Sequence, residues 1–78
     1  MSNEEKYTQA FVEALEVSPG EAVSLVYGES TAWDSVGHMA LVARLEDLFD
    51  IMMEMDDIVD LSSFEKGKEI LCKYAVEL

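Results

Sequence analysis

Basic side chains are scarce in this chain: five Lys and Arg stand against seventeen Asp and Glu, and His38, Cys72, Pro19 and Trp33 are each the only residue of their kind. A single thiol cannot close an internal disulfide, which excludes a stapled secreted miniprotein and makes a reducing, cytoplasmic compartment the expectation. One Cys and one His cannot supply the ligands of a zinc site. Asp56, Asp57 and Asp60 lack the glycine and the terminal Glu of an EF-hand loop, so no specific metal site is readable. The longest apolar run, Met39 to Ala43, is five residues, against the ~20 that a bilayer span needs. The acidic opening Ser2-Asn3-Glu4-Glu5 is unlike a signal peptide, which is basic and then apolar. A formal net charge of -12 repels phosphate backbones and anionic lipids, because both are bound through clustered Lys and Arg. Neither nucleic acid nor membrane insertion is expected, and basic protein surfaces are the favoured partners.

Half of the residues are apolar, well above the level of disordered acidic tails, so the charge is laid over a foldable pattern. Residues 1–78 are expected to form one monomeric domain whose core is worth roughly 3–5 kcal/mol. A chain this short has no room for an enclosed pocket with separate substrate and cofactor compartments.

Apolar positions recur at helical spacing. Tyr7, Phe11, Ala14 and Leu15 predict a first helix over residues 3–16, opened by the capping-box spacing of Ser2 and Glu5. Ser18-Pro19-Gly20-Glu21 stops it and caps a further short turn. From 20 to 33 no two-residue alternation is sustained and Gly28, Ser30 and Thr31 break regularity. A long ordered loop is expected there, pinned by Val23, Leu25, Val26 and Tyr27. The second helix is expected over 35–49, with Val42, Leu45, Phe49 and Met52 as its inward stripe and Leu41 and Leu48 on the flank. Its other face, Val36, Ala40, Ala43 and Asp47, suits either a transient partner or plain packing beside another helix. A short third helix over 55–60 opens on acids, as the helix dipole prefers. A fourth carries the stripe Phe64, Gly67, Leu71, Tyr74 and Leu78 behind a Ser62/Glu65 capping-box spacing, and Gly67 weakens it unless another element packs closely there. Met52, Met53 and Met55 add a soft region that is either ordinary core or one that opens for a guest. The sum is an all-α four-helix bundle, with three longer helices, a short third one and a long loop between the first and second.

Ser35 and His38 fall on one turn, but a bundle this small offers neither an enclosed pocket nor an oxyanion site, so a hydrolase is disfavoured and no catalytic activity is expected. Asp34 and Ser35 are both ordinary N-cap residues. A helix N-terminus also presents free N–H groups and about half a positive charge, which favours a phosphate attached covalently there. The loop ahead of the helix leaves the Ser35 hydroxyl accessible.

Asp34-Ser35-Val36, followed by Leu41-Val42, Leu45-Glu46-Asp47, Phe49-Asp50 and later Asp56-Asp57, resembles the acyl carrier protein family over almost the whole chain. The D-S-[LIV] signature is short, and the L-V-x-x-L-E-x-x-F-D run at matching spacing, with the length, acidity and helix pattern, makes it specific. The resemblance implies that Ser35 receives 4'-phosphopantetheine, taken from coenzyme A by a magnesium-dependent phosphopantetheinyl transferase. The arm's thiol would then hold an acyl or aminoacyl group as a thioester. Further partners implied are a ligase that loads the cargo and the acyl-processing enzymes of a fatty-acid, polyketide or specialised pathway. Asp34 would position the transferase, and Val36, Met39, Ala40, Ala43, Asp47, Asp56 and Asp57 would belong to the partner-binding surface. A satisfied or solvated side chain is the default for His38; by analogy with helix-end anion sites it would contact the arm's phosphate, the alternative being an exposed side chain with no role. Gly37, His38, Ala40 and Arg44 stand where many fatty-acid carriers have acids. Thr31-Ala32-Trp33 stands where a Leu-Gly pair is common, and the W-D-S variant resembles small free-standing carriers of specialised pathways. The competing class is an unmodified acidic helical adaptor that binds a basic protein.

Overall fold

Four of the five helices begin where a short polar side chain meets unpaired backbone N–H groups. The Ser2 hydroxyl accepts from the Glu5 N–H at 3.1 Å and the Glu5 carboxylate accepts in return from the Ser2 N–H at 3.1 Å. This reciprocal cap opens α1, Asn3–Leu15, and holds the Glu5 carboxyl below the usual carboxylate range. Ser18 and Glu21 repeat the arrangement at α2, Pro19–Ala22. Asp34 caps α3, Ser35–Phe49, and Ser63 caps α5, Phe64–Cys72. Between them α4, Met55–Asp60, has no side-chain cap. The computed structural model describes residues 2–29 and 31–78. Across them the chain is all-α, with no strand and one isolated antiparallel bridge between Val26 and Ser63. Ser30, expected to help break the regularity of the loop, lies outside the described residues.

The helices close around an aromatic cluster. Tyr7 and Phe11 from α1, Phe64 at the head of α5 and Trp33 from the loop are all buried. Their ring centroids are 4.8 Å apart for Tyr7–Phe64, 5.0 Å for Phe11–Phe64, 5.1 Å for Tyr7–Phe11 and 5.3 Å for Phe11–Trp33. Tilted and edge-on pairs of this kind add about 0.5–1.5 kcal/mol each beyond their buried area. The Tyr7 hydroxyl lies inside the cluster and donates to the Phe64 carbonyl at 2.6 Å; burial pushes the phenol far up from its ordinary value. The close approach expected at Gly67 is made by Tyr7 itself, since a Cβ at Gly67 would lie 2.0 Å from the Tyr7 hydroxyl oxygen and 2.8 Å from Leu61 Cδ1.

Several boundaries and burials differ from the sequence expectation. The connection from 20 to 33 is pinned by the buried Ala22, Leu25 and Trp33, while Val23, Val26 and Tyr27 are exposed. The Tyr27 N–H donates to the Ser62 carbonyl at 2.8 Å and the Phe64 N–H to the Leu25 carbonyl at 3.1 Å. That extended pairing shifts the start of α5 by one residue. Ser63, not Ser62, is the cap, its hydroxyl accepting from the Lys66 N–H at 3.0 Å, so Ser62 and Glu65 form no capping box. At the other end α5 stops at Cys72, leaving Tyr74 half-buried and Leu78 exposed. In α3, Leu41, Val42 and Leu45 are buried and Phe49 is half-buried, but Met52 is 86% exposed. The helix ends at Phe49 and Asp50 turns left-handed (φ 52), which throws Met52 off the stripe and brings Met53 inside instead.

Candidate functional site

The start of α3 is built by one carboxylate and one glycine. Asp34 Oδ1 accepts from the Gly37 N–H at 2.8 Å and the Asp34 carbonyl accepts from the His38 N–H at 2.8 Å. Asp34 is therefore the cap and Ser35 the first helical residue. Capping leaves the first-turn N–H groups of Ser35 and Val36 with no intrahelical acceptor. A Cβ at Gly37 would lie 2.8 Å from Leu15 Cδ2 and 3.1 Å from the Ala32 carbonyl oxygen, so only glycine lets this turn sit against α1 and the loop. Ser35 is exposed, and its hydroxyl has no hydrogen-bond partner among the described residues. Beside it runs a shallow groove of about 350 Å3 lined by Tyr27, Gly28, Glu29, Thr31, Trp33 and Asp34.

Under this corner lies an arrangement that sequence reasoning missed. Trp33 is fully buried, and its indole N–H donates to His38 Nδ1 at 3.0 Å. The other imidazole nitrogen, Nε2, lies 2.7 Å from the Ile58 carbonyl oxygen on α4. An indole nitrogen can only donate and a carbonyl can only accept, so Nδ1 is bare and Nε2 carries the proton. Trp33 and His38 also stack, with centroids 6.0 Å apart and planes 25° from parallel, and Tyr27 meets the imidazole edge-on at 5.1 Å. His38 thus has neither ring nitrogen free for a phosphate and is half-buried, which corrects the phosphate contact and the exposed side chain without a role, and leaves the satisfied histidine of the default reading. A sequence signal existed: a buried indole needs an acceptor, and the only imidazole stands five residues on.

The other expected site residues divide. Val36 is 80% exposed and Met39 57% exposed, and Asp34, Ala40, Ala43, Asp47 and Asp56 are exposed as well. Asp57 is not: it is 5% exposed. Its Oδ1 accepts from Lys73 Nζ at 2.5 Å and its Oδ2 from the Tyr74 hydroxyl at 2.5 Å. The Tyr74 oxygen in turn accepts from the Glu54 N–H at 2.9 Å. Expected on the partner surface, Asp57 instead clamps α4 to the turn that follows α5. The Lys73 ammonium and the Tyr74 hydroxyl hold its carboxyl below the usual carboxylate range, and the same bonds raise Lys73 and Tyr74 above theirs. Among the described residues no group of three His, Cys, Asp or Glu side chains is placed to hold a metal ion, and no helix is long and apolar enough to cross a membrane.

Comparison with family models, with curated proteins and with solved structures returned no match to this chain.

Proposed function

We propose that the protein is a carrier that bears 4'-phosphopantetheine on Ser35 and delivers acyl or aminoacyl thioesters to biosynthetic enzymes. The observation that carries this reading is the exposed Ser35 hydroxyl, without a partner among the described residues, at the N-terminus of α3 beside an open groove. The site fits such a group: the hydroxyl is free to receive a phosphodiester, and the Ser35 and Val36 N–H groups and the positive end of the 15-residue α3 favour an anion there. When attached, the arm supplies the thiol on which cargo is carried. The chain's own contribution is positional. Asp34 fixes the first turn, Gly37 lets that turn sit close to α1, and the charge of -12 with exposed Val36 and Met39 offers basic, partly apolar enzymes a surface to dock on. In this reading α1, α3, α4 and α5 are the four helices of a carrier-type bundle, with α2 inside the long connection. The enzymes that dock are a transferase, a loading ligase and acyl-processing enzymes in the cytoplasm.

In the modification step the Ser35 oxygen forms a bond to the phosphorus proximal to pantetheine in coenzyme A. The pyrophosphate linkage breaks, adenosine 3',5'-bisphosphate leaves, and the hydroxyl proton passes to a base on the transferase. Incubation with coenzyme A, magnesium and a broad-specificity transferase should therefore add one phosphopantetheinyl group, mapped to Ser35 by peptide mass spectrometry. Ser35→Ala should take no group. It should also keep its stability within about 0.5 kcal/mol, because the cap is Asp34 and the replaced hydroxyl is exposed. An unmodified wild-type chain beside a labelled control carrier would leave the acidic adaptor as the better account.

A further inference from the structure

Trp33 lies two residues before Ser35 and His38 three after it, so the indole–imidazole bond closes a ring around Asp34-Ser35-Val36-Gly37. The second imidazole bond reaches Ile58, twenty residues further on. That tie matters for α4, which has little apolar anchorage of its own: Asp57 is its buried residue, Ile58 is half-buried, and Met55 and Val59 are 72% and 73% exposed. One imidazole therefore joins the loop, the first turn of α3 and the backbone of α4 at the base of the serine-bearing corner. The Trp33 bond needs a bare Nδ1, and the Ile58 bond needs the proton on Nε2.

We propose that His38 is a positioning residue for Ser35: by accepting from Trp33 and donating to Ile58 it holds the corner in the geometry that the modifying transferase uses. The proposal rests on the carrier reading. Without the imidazole the Trp33 indole N–H is buried with no acceptor, a state that costs more than the bond was worth. Little around the ring would replace it. From the loop, the Tyr27 ring meets the imidazole. From α3, the Asp34 carboxylate is taken by Gly37 and Arg44 by Glu13. From α4 and its exit, Val59, Leu61 and Ser62 line a groove of about 230 Å3 with Tyr27 and His38; the Asp57 carboxylate is turned to Lys73 and Tyr74, and Asp60 is exposed. Glu29 lies in the groove on the serine side.

The test is a labelling competition. Wild type and His38→Leu, which offers Trp33 no acceptor and Ile58 no donor, are mixed in one reaction with coenzyme A and a broad-specificity transferase and resolved by mass. Wild type should be labelled about five-fold faster, the factor that one neutral hydrogen bond supplies. His38→Gln, whose amide oxygen can accept from Trp33, should recover part of that factor. Trp33→Phe, which removes the donor instead, should lose a similar factor, and the double variant little more, so the result does not depend on one variant folding. In parallel, the scalar coupling across the hydrogen bond between Trp33 Nε1 and His38 Nδ1, read by nitrogen-15 NMR, should be present in the wild type and absent from His38→Leu and Trp33→Phe. A ratio of one, with that coupling intact in the wild type, overturns the positioning role. Absence of the coupling from the wild type overturns its geometry. A wild type that takes no arm while a control carrier does overturns the carrier reading itself, and the coupling then tells the two failures apart.

Discussion

The Asp57 carboxylate is almost completely buried with one partner on each oxygen, and the acid and its two donors titrate at opposite ends of the pH scale. Because the folded state lowers its pKa, the clamp's stabilisation is fully present above the unfolded carboxylate value of about 3.9 and is lost as pH falls through the depressed folded value. Lys73 is raised, so the same stabilisation holds below the unfolded lysine value of about 10.4 and is lost as pH rises through the raised one. Comparing wild type with Asp57→Asn isolates the clamp from the many surface acids. The difference in melting temperature should be a plateau through the neutral range and shrink at both acid and alkaline ends. A difference that grows on acidification would mean that Asp57 destabilises the fold when ionised. The exposed place of Ser35 at the head of α3 was legible because it is set locally, by a polar pair ahead of an amphipathic run. His38 and Asp57 were not, since their partners lie five, sixteen, seventeen and twenty residues away and meet them only after folding.

Helix starts are readable where a cap and the N–H it accepts from are three residues apart, as at Ser2, Ser18 and Asp34. They shift where another segment claims the backbone: pairing of 25–27 with 62–64 moved the α5 cap from Ser62 to Ser63. Gly67 shows the same precedence of packing over propensity. In a free helix Gly67→Ala would gain about 1 kcal/mol, but here the added methyl would enter the space of a Tyr7 hydroxyl fixed by its bond to Phe64. The substitution should cost a net ~1–2 kcal/mol in urea unfolding, overpacking being typically worth 1–3 against that gain. Tyr7→Phe removes the oxygen that lies nearest. The double variant should therefore be more stable than the sum of the two single losses, by the ~0.5–3 kcal/mol typical of coupled neighbours. Strict additivity would place the strain elsewhere, at Leu61.

Over the whole molecule the balance is electrostatic. Seventeen carboxylates share a body whose principal extents are 30 × 28 × 18 Å. Among the described residues three ion pairs relieve them, Arg44–Glu13, Lys68–Glu4 and Lys73–Asp57. The first two lie on the surface, where such pairs are each worth about 0–1 kcal/mol. At an ionic strength near 0.01 M the screening length is about 30 Å, so each carboxylate feels every other across the fold. Near 1 M it is about 3 Å, and only the contact pairs survive. Unfolding spreads the charges apart, so low salt favours the unfolded chain and screening favours the fold. The melting temperature should rise by several degrees between these limits, each kcal/mol of relieved repulsion being worth about 4–8 °C for a domain this size. Magnesium should produce the rise at lower concentration than sodium, through its double charge. A melting temperature that falls as salt is added would show that the three pairs outweigh the summed repulsion. The surface acids would then be free to serve docking at little cost to the fold.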